Sequence, residues 1–502
     1  MKKKQPEPLK DFLSNKVIFI LLIAAVAAVY INTLGNQFVW DDEVIIVGNP
    51  YIKNWNYLKE VLTTGAFGEK TYAGSYLRPV QNLSFLIDYS IWKLNPLGYH
   101  LTNILLHSIN SILIFLLLTR LKIQKKIGFF SALLFAIHPV NTEAVTYICG
   151  RGDMFVFLFE ILGFLVILKL CYVVRGFSLA GVIYSVMSIV MLILAILSKE
   201  NGVILPAIML LCYFTCPQVN LFKDKSAKQN YLWTMIIMFL ISAAYISTRL
   251  FALETSTTGT LSLIKNATFT ERLLTVPKIL LTYVRLFILP INLHMEYHFV
   301  EKSITSPSVW GSLLLLVGLF YFLYRFARDR RHAMFSLGWF LIGISPFTNV
   351  LVPIHTTVAE RWFYVPLIGL ITIAVDSIIR LYETKPYLRK FIISCSVLVG
   401  ILFAFAAIRR NNDWSEPMKL YSHDLKYEPW SFLLHNNLGV EYFRKGMMAQ
   451  AKQKFIDSIK ASPRLGYDMA FNNLGVVYEN EGNIEKAIEN FKLAISGKKT
   501  AF

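Results

Sequence analysis

Apolar residues along this chain gather into long runs separated by short polar segments. Eleven such runs can be marked, at about 17–34, 101–121, 127–137, 154–174, 177–197, 202–216, 231–253, 309–324, 335–352, 363–381 and 391–408. Most approach the roughly 20 residues that an α-helix needs to cross a hydrocarbon layer, so the pattern predicts an all-α, polytopic membrane helical bundle of about eleven spans. A further run at 273–290 is interrupted by Pro277, Lys278 and Arg285, and it reads as a re-entrant or interfacial helix. The segment of roughly 65 residues after the first run is far longer than a helix connection requires and is expected to carry structure of its own. Past residue 411 the pattern becomes that of soluble amphipathic helices. Leu438-Gly439, Tyr442, Gly446, Ala451, Phe455 and Pro463 have the spacing of a tetratricopeptide (TPR) repeat, and Leu474-Gly475, Tyr478, Gly482, Ala487, Phe491 and Ala494 follow it 36 residues later. The usual period is about 34, so the turn near 465–468 is expected to be longer. The division expected is a transmembrane domain over 1–410 and a TPR domain over 411–502, with 414–429 supplying a partial repeat.

Charge orients the bundle. Lys2, Lys3, Lys4, Lys10 and Lys16 hold the N-terminus in the cytoplasm, and Arg120, Lys122, Lys125, Lys126, Arg175, Lys223, Lys225, Lys228, Arg325, Arg328, Arg330, Arg331, Lys385, Arg389 and Lys390 mark the same side. The net charge of +18 is thereby explained without nucleic acid. The first run has no small-residue cleavage site and reads as a retained anchor, and the repeats come out extracytoplasmic. Arg409-Arg410 dissents, being a basic pair on the outer side. With 55% hydrophobic residues and a mean hydropathy of +0.50, no soluble fold fits. The five cysteines, Cys149, Cys171, Cys212, Cys216 and Cys395, lack zinc spacing and read as small buried hydrophobes.

With that topology, the polar sets fall on one outer face. They are Asp41-Asp42-Glu43, the stretch from His138 through Glu143 and Arg151 to Asp153, Lys199-Glu200-Asn201, Glu296 with His298, and Glu360-Arg361. Each has a plain alternative. Asp41 and Asp42 fit a helix cap, Lys199 a snorkelling helix end, Arg361 a partner for Glu360, and His138 a cap on the third helix. A transporter would instead carry charges at mid-span and show repeated halves. Asn82-Leu83-Ser84 and Asn266-Ala267-Thr268 match the N-glycosylation triplet.

Trp40-Asp41-Asp42, 75–79 (SYLRP), 138–145 (HPVNTEAV) with 150–153 (GRGD), 197–202 (LSKENG), 359–361 (AER) with 364–366 (YVP), and 410–414 (RNNDW) occur in order. The series resembles the transmembrane and TPR-containing O-mannosyltransferases and their prokaryotic relatives, glycosyltransferases of the GT-C class. That resemblance implies a hexosyltransferase that takes a mannose-like sugar from a polyprenyl-phosphate donor at the outer leaflet. The acceptor would be a hydroxyl, expected to be protein Ser or Thr held with help from the TPR groove. The localisation implied is multi-pass, in a bacterial inner (plasma) membrane. A hydroxyl nucleophile needs a carboxylate to take its proton, and Asp41 or Asp42 suits that role. A leaving lipid phosphate needs cations, for which Arg78, Arg151, Lys199 and Arg361 are the candidates. His138, Glu143, Asp153, Glu200, Glu296, His298 and Glu360 would support them. Paired acids also suit Mg or Mn, although members of this family are understood to work without a metal. The rival class is a non-enzymatic membrane scaffold whose repeats bind envelope proteins.

Overall fold

The computed structural model describes residues 13–65, 77–173, 178–215, 225–254, 262–326, 330–462 and 467–499. Lys2, Lys3, Lys4, Lys10, Ser75, Tyr76, Arg175, Cys216, Lys223, Arg328 and the turn residues Leu465 and Gly466 lie outside these stretches.

Among the described residues seven helices are long and apolar enough to cross a membrane: Asn15–Gly35, Pro96–Arg120, Ile148–Cys171, Leu179–Ser198, Lys225–Arg249, Pro307–Arg325 and Pro386–Asp413, with Glu200–Thr215 as a shorter apolar helix. The helices Lys125–Ile137 and Arg330–Ile344, at 13 and 15 residues, are shorter than that measure requires. Burial sorts the seven. Pro96–Arg120 and Ile148–Cys171 are 67% and 61% buried and form the centre, whereas Pro307–Arg325 and Pro386–Asp413 are 17% and 6% buried and present an apolar outer surface. The central helices are pinned by polar contacts. Tyr364 Oη meets His107 Nδ1 at 2.7 Å and accepts from Asn110 at 3.1 Å, while Asn110 also donates to the Met154 carbonyl at 3.0 Å. Such interhelical bonds stand in for the hydrophobic drive that lipid cannot supply. The interrupted run at 273–290 forms one helix, Phe269–Ile288, that continues through Pro277 and opens with a Thr268/Glu271 capping box.

The long first connection does carry structure: a π-helical turn Glu43–Val47, short turns at Tyr51–Lys53 and Trp55–Tyr57, and helices Leu58–Thr63 and Pro79–Trp92. Two antiparallel helix pairs close the chain, Phe432–Arg444 with Met448–Ala461 and Asp468–Asn480 with Ile484–Lys499. They repeat one packing rule. Gly439 lies under the Phe455 ring and Gly475 under the Phe491 ring, where an added Cβ would come within 2.7 Å. Ala451 and Phe455 of the first repeat form a small core with Leu474 and Val477 of the second. Leu434 and Leu438 of the first repeat instead share a core with Val39, Ile45, Ile46, Ile148, Met295 and Trp414. The repeats are thereby built onto the polar face by burial of apolar surface.

Candidate active site

The site is assembled from connections between helices. Asp41 and Asp42 are adjacent and point different ways. Asp42 is fully buried and accepts from the Val39 N–H at 3.1 Å and the Cys149 N–H at 2.9 Å, so it staples the first loop to the 147–150 turn. Burial pushes its carboxyl up to about 7, against the pull of those hydrogen bonds. Asp41 is half-buried and accepts one hydrogen bond, from the Tyr147 hydroxyl at 2.9 Å. Burial raises its pKa too, with Tyr147, Arg361 and His355 pulling it down and Glu296 pushing it up. Between the two loops runs a stack. Arg361 lies over Trp40 at 5.2 Å, Trp40 on Tyr147 at 5.3 Å, Tyr147 on Trp414 at 5.4 Å, and Arg410 over Trp414 at 5.5 Å. Trp40 takes a left-handed φ of 55°, strained for a bulky residue and offset by this stacking.

The loop from 138 to 153 is a chain of short turns, fully buried, whose tightness requires Gly150. A Cβ there would come within 2.8 Å of the Ala144 and Glu143 carbonyl oxygens. His138 has both ring nitrogens engaged, Nε2 with the Phe287 carbonyl at 3.1 Å and Nδ1 with the Val140 N–H at 3.3 Å, so its ring caps the turn Pro139–Asn141 that follows the helix Lys125–Ile137. Glu143 accepts from the Arg361 N–H at 2.8 Å and from its guanidinium. Arg361 therefore pairs with Glu143, not with its neighbour Glu360. Arg151 is enclosed: it donates to Asn103 Oδ1 at 2.7 Å, Ser84 at 3.1 Å and the Tyr99 carbonyl at 3.0 Å, and is paired with Asp88 at 2.6 Å. Asn82, in the first glycosylation triplet, is 1% exposed.

Lys199 ends the helix Leu179–Ser198 and meets Asp153 at 2.5 Å. Gly202 lets the chain turn back here, since a Cβ would sit 2.5 Å from the Ala195 carbonyl carbon. Glu200 pairs with Arg78 at 3.2 Å. Burial lowers Lys199 to about 8; Asp153 opposes that shift, while Arg78 and Arg361 add to it. Arg78 and Arg361 thus both stand within electrostatic reach of Lys199, and Arg151 is spent on its own enclosure.

Opposite lies the segment 294–299, held to 356–358 by backbone bonds around an antiparallel Tyr297–Val358 bridge. Glu296 meets His355 Nε2 at 2.9 Å and His298 at 3.7 Å. Its own burial would raise it, but His355, His298 and Arg361 bring it down to about 2. Glu360, fully buried, accepts from the His294 N–H at 2.6 Å and the Tyr297 hydroxyl at 2.8 Å, and burial pushes it up to about 8. Among the described residues no group of three His, Cys, Asp or Glu side chains is placed to hold a metal ion.

Five residues at the site escape sequence reasoning: Tyr147, His355, Arg410, Asp424 and Glu428. Arg410 had left a signal. The basic pair that does not follow the charge rule contains a buried arginine, 3.0 Å from Asp424 and 3.7 Å from Asp413. The rest of its motif is also structural, for Asn411 donates to the Val29 carbonyl at 2.8 Å and accepts from Thr146 at 2.7 Å.

A tetratricopeptide-repeat model matches residues 470–496. Protein O-mannosyl-transferase F38B6.6 of Caenorhabditis elegans is 25% identical over 459 residues, covering 88% of this chain and 62% of that protein. The human protein O-mannosyl-transferases TMTC3 and TMTC4 are each 26% identical, over 96% and 86% of this chain and 56% and 64% of their own lengths. The chain thus spans between half and two thirds of these relatives. Among solved structures, the Archaeoglobus fulgidus oligosaccharyltransferase tethered with an acceptor peptide aligns at a TM-score of 0.44 and 15% identity, over 95% of this chain and 58% of that one. ArnT from Cupriavidus metallidurans bound to undecaprenyl phosphate aligns at 0.36 and 13%, over 97% and 76%. By sequence, the homologues of this chain are the transmembrane and TPR-containing protein O-mannosyl-transferases.

Proposed function

We propose that the chain is a membrane mannosyltransferase that moves the sugar of a polyprenyl-phosphate donor to an acceptor hydroxyl, with protein Ser or Thr as the acceptor class. In the step, the hydroxyl oxygen bonds to the anomeric carbon and gives its proton to Asp41, while the carbon–oxygen bond to phosphate breaks and the lipid phosphate leaves with the electron pair. Arg78, Lys199 and Arg361 take up its charge. Glu143 orients Arg361, and Glu296 raises the basicity of Asp41. Arg151 holds the 147–153 turn. In this reading residues 1–410 form the transferase domain, and the repeats of 411–502 lie on the same extracytoplasmic face of a bacterial inner membrane, where their groove receives the acceptor polypeptide.

The observation that carries the reading is the unequal use of the acid pair. Both oxygens of Asp42 are taken by backbone N–H groups, whereas Asp41 holds a single tyrosine hydroxyl beside Arg361. A helix cap would not leave the more exposed acid next to a guanidinium. The test is incubation of purified protein with a panel of polyprenyl-phosphate sugars and a Ser/Thr peptide, scoring release of lipid phosphate and sugar on the peptide. Release with the mannose donor is expected. Absence of turnover with every donor removes the transferase reading and leaves the scaffold.

A further inference from the structure

The last membrane helix ends at Asp413, and before the first repeat begins at Phe432 the chain makes a helix, Pro417–Asp424, and a short turn. Two acids of this connection are used on the transfer site, not on the repeats. Asp424, 1% exposed, accepts from the Met295 N–H at 2.8 Å with one oxygen and takes Arg410 at 3.0 Å and His423 at 2.8 Å with the other. Glu428, one turn further, accepts from the His298 N–H at 3.2 Å, and its oxygens stand 3.7 Å from His294 Nε2 and 3.8 Å from His298 Nδ1. Between these two anchored backbone positions lie Glu296 and Tyr297, so the short stretch that carries Glu296 is gripped from both sides.

We propose that Glu428, with Asp424 behind it, is a positioning residue for transfer: from the repeat side it fixes the 294–298 segment and the charge of His298, and thereby the placement of Glu296 beside Asp41 and Arg361. The inference rests on the proposed transferase reading. Four groups face Glu296: His355 from the 348–358 loop, His298 from its own segment, Arg361 from the turn Glu360–Phe363, and Asp41 from the first loop. His298 is faced by Glu296 and Glu428, and the two acids overcome the effect of its burial and raise its pKa. Glu428 in turn is held down at about 2 by His294 and His298, against its burial. Loss of the Glu428 charge therefore lowers His298, which then stabilises ionised Glu296 less. Glu296 rises from about 2, and as it neutralises its push on Asp41 fades, so that the Asp41 pKa falls.

The experiment compares parent, Glu428→Gln and Glu428→Asp in two measurements: histidine titration by NMR in detergent, and the pH profile of kcat and donor KM. The glutamine keeps the shape and an acceptor for the His298 N–H, and the aspartate keeps the charge. In Glu428→Gln the His298 midpoint falls by roughly one unit, and the acid limb of kcat, which reports the base Asp41, moves to lower pH by roughly half a unit. Donor KM stays within about twofold, and Glu428→Asp keeps the parent limb. A purely structural role would lower thermal stability and leave the limb in place. An unmoved His298 midpoint with an unmoved limb overturns the inference while parent turnover keeps the transferase reading. A parent that turns over no donor removes that reading, and this inference with it.

Discussion

Replacing Asp41 and Asp42 one at a time by asparagine should give opposite results in two assays. Asp41→Asn keeps the size of the side chain and an oxygen for the Tyr147 hydroxyl at 2.9 Å, but the new amide accepts no proton. A general base contributes about 100- to 10,000-fold, or roughly 3 to 5 kcal/mol at 1.36 kcal/mol per tenfold, so sugar transfer should fall by that factor. Binding of the lipid donor should persist, because the cations proposed to hold its phosphate lie on other loops. Stability should hold or rise. A carboxyl whose folded pKa lies above its ordinary value loses stability to ionisation as the pH passes that value upward, and an amide removes this cost. Asp42 behaves differently. Its two oxygens accept two N–H groups, and an amide turns its NH2 toward one of them. One buried donor is left unsatisfied, at about 1 to 3 kcal/mol, which should appear as a lower Tm in detergent at a pH below the ordinary Asp value, where Asp42, raised to about 7 in the folded chain, carries no ionisation cost for the amide to remove. Turnover per folded molecule should change far less than for Asp41→Asn. The assay pairs peptide mannosylation with thermal unfolding on the same preparations. Transfer at the parent rate by Asp41→Asn refutes the assignment of the base.

Three further outcomes follow from the same geometry. Lys199 is lowered to about 8, so affinity for polyprenyl phosphate should decline as the pH rises through 8, and Lys199→Arg, charged throughout, should bind with a flat profile; equal slopes in calorimetric titrations would take Lys199 out of the phosphate site. Arg361→Ala should cost roughly 3 to 5 kcal/mol in unfolding because it strands fully buried Glu143, and Glu143→Gln in the same chain should restore a good part of it; two additive losses would show the pair to be uncoupled. Gly439→Ala should cost about 1 to 3 kcal/mol by driving a methyl into the Phe455 ring, loosening the first repeat; hydrogen exchange over 432–461 that matches the parent would count against the close packing.

The helices were legible from the 20-residue apolar runs, because burial in lipid writes its requirement into every residue of a span. The repeats were legible for a similar reason, since Gly439 and Gly475 must admit Phe455 and Phe491 at equal spacing. What stayed hidden was pairing. A lone arginine in a loop looks the same whether its partner is a phosphate or a carboxylate. Arg151 is enclosed by Asp88 and Asn103, both on helices distant from it in sequence, while Arg361 stays beside the mouth of the site on Glu143. The run interrupted by Pro277 reads as a re-entrant or interfacial helix, and Phe269–Ile288 forms one helix that continues through the proline, as helices packed on neighbours tolerate. His355, set in an irregular loop with no periodicity, carried no signal at all. Arg410 did, as an exception to the charge rule, and its meaning emerged only with Asp424 beside it.

The ladder Arg361–Trp40–Tyr147–Trp414–Arg410 makes the site its own optical probe. Indole emission depends on the charge lying against the ring, and Trp40 carries the guanidinium at one end of the ladder. A polyprenyl phosphate that draws Arg361 off that face should change the Trp40 emission without any label, and Trp40→Phe identifies this signal among the nine tryptophans of the chain. A parent spectrum that stays constant through donor saturation would mean that the guanidinium keeps its place on the indole while the donor is bound.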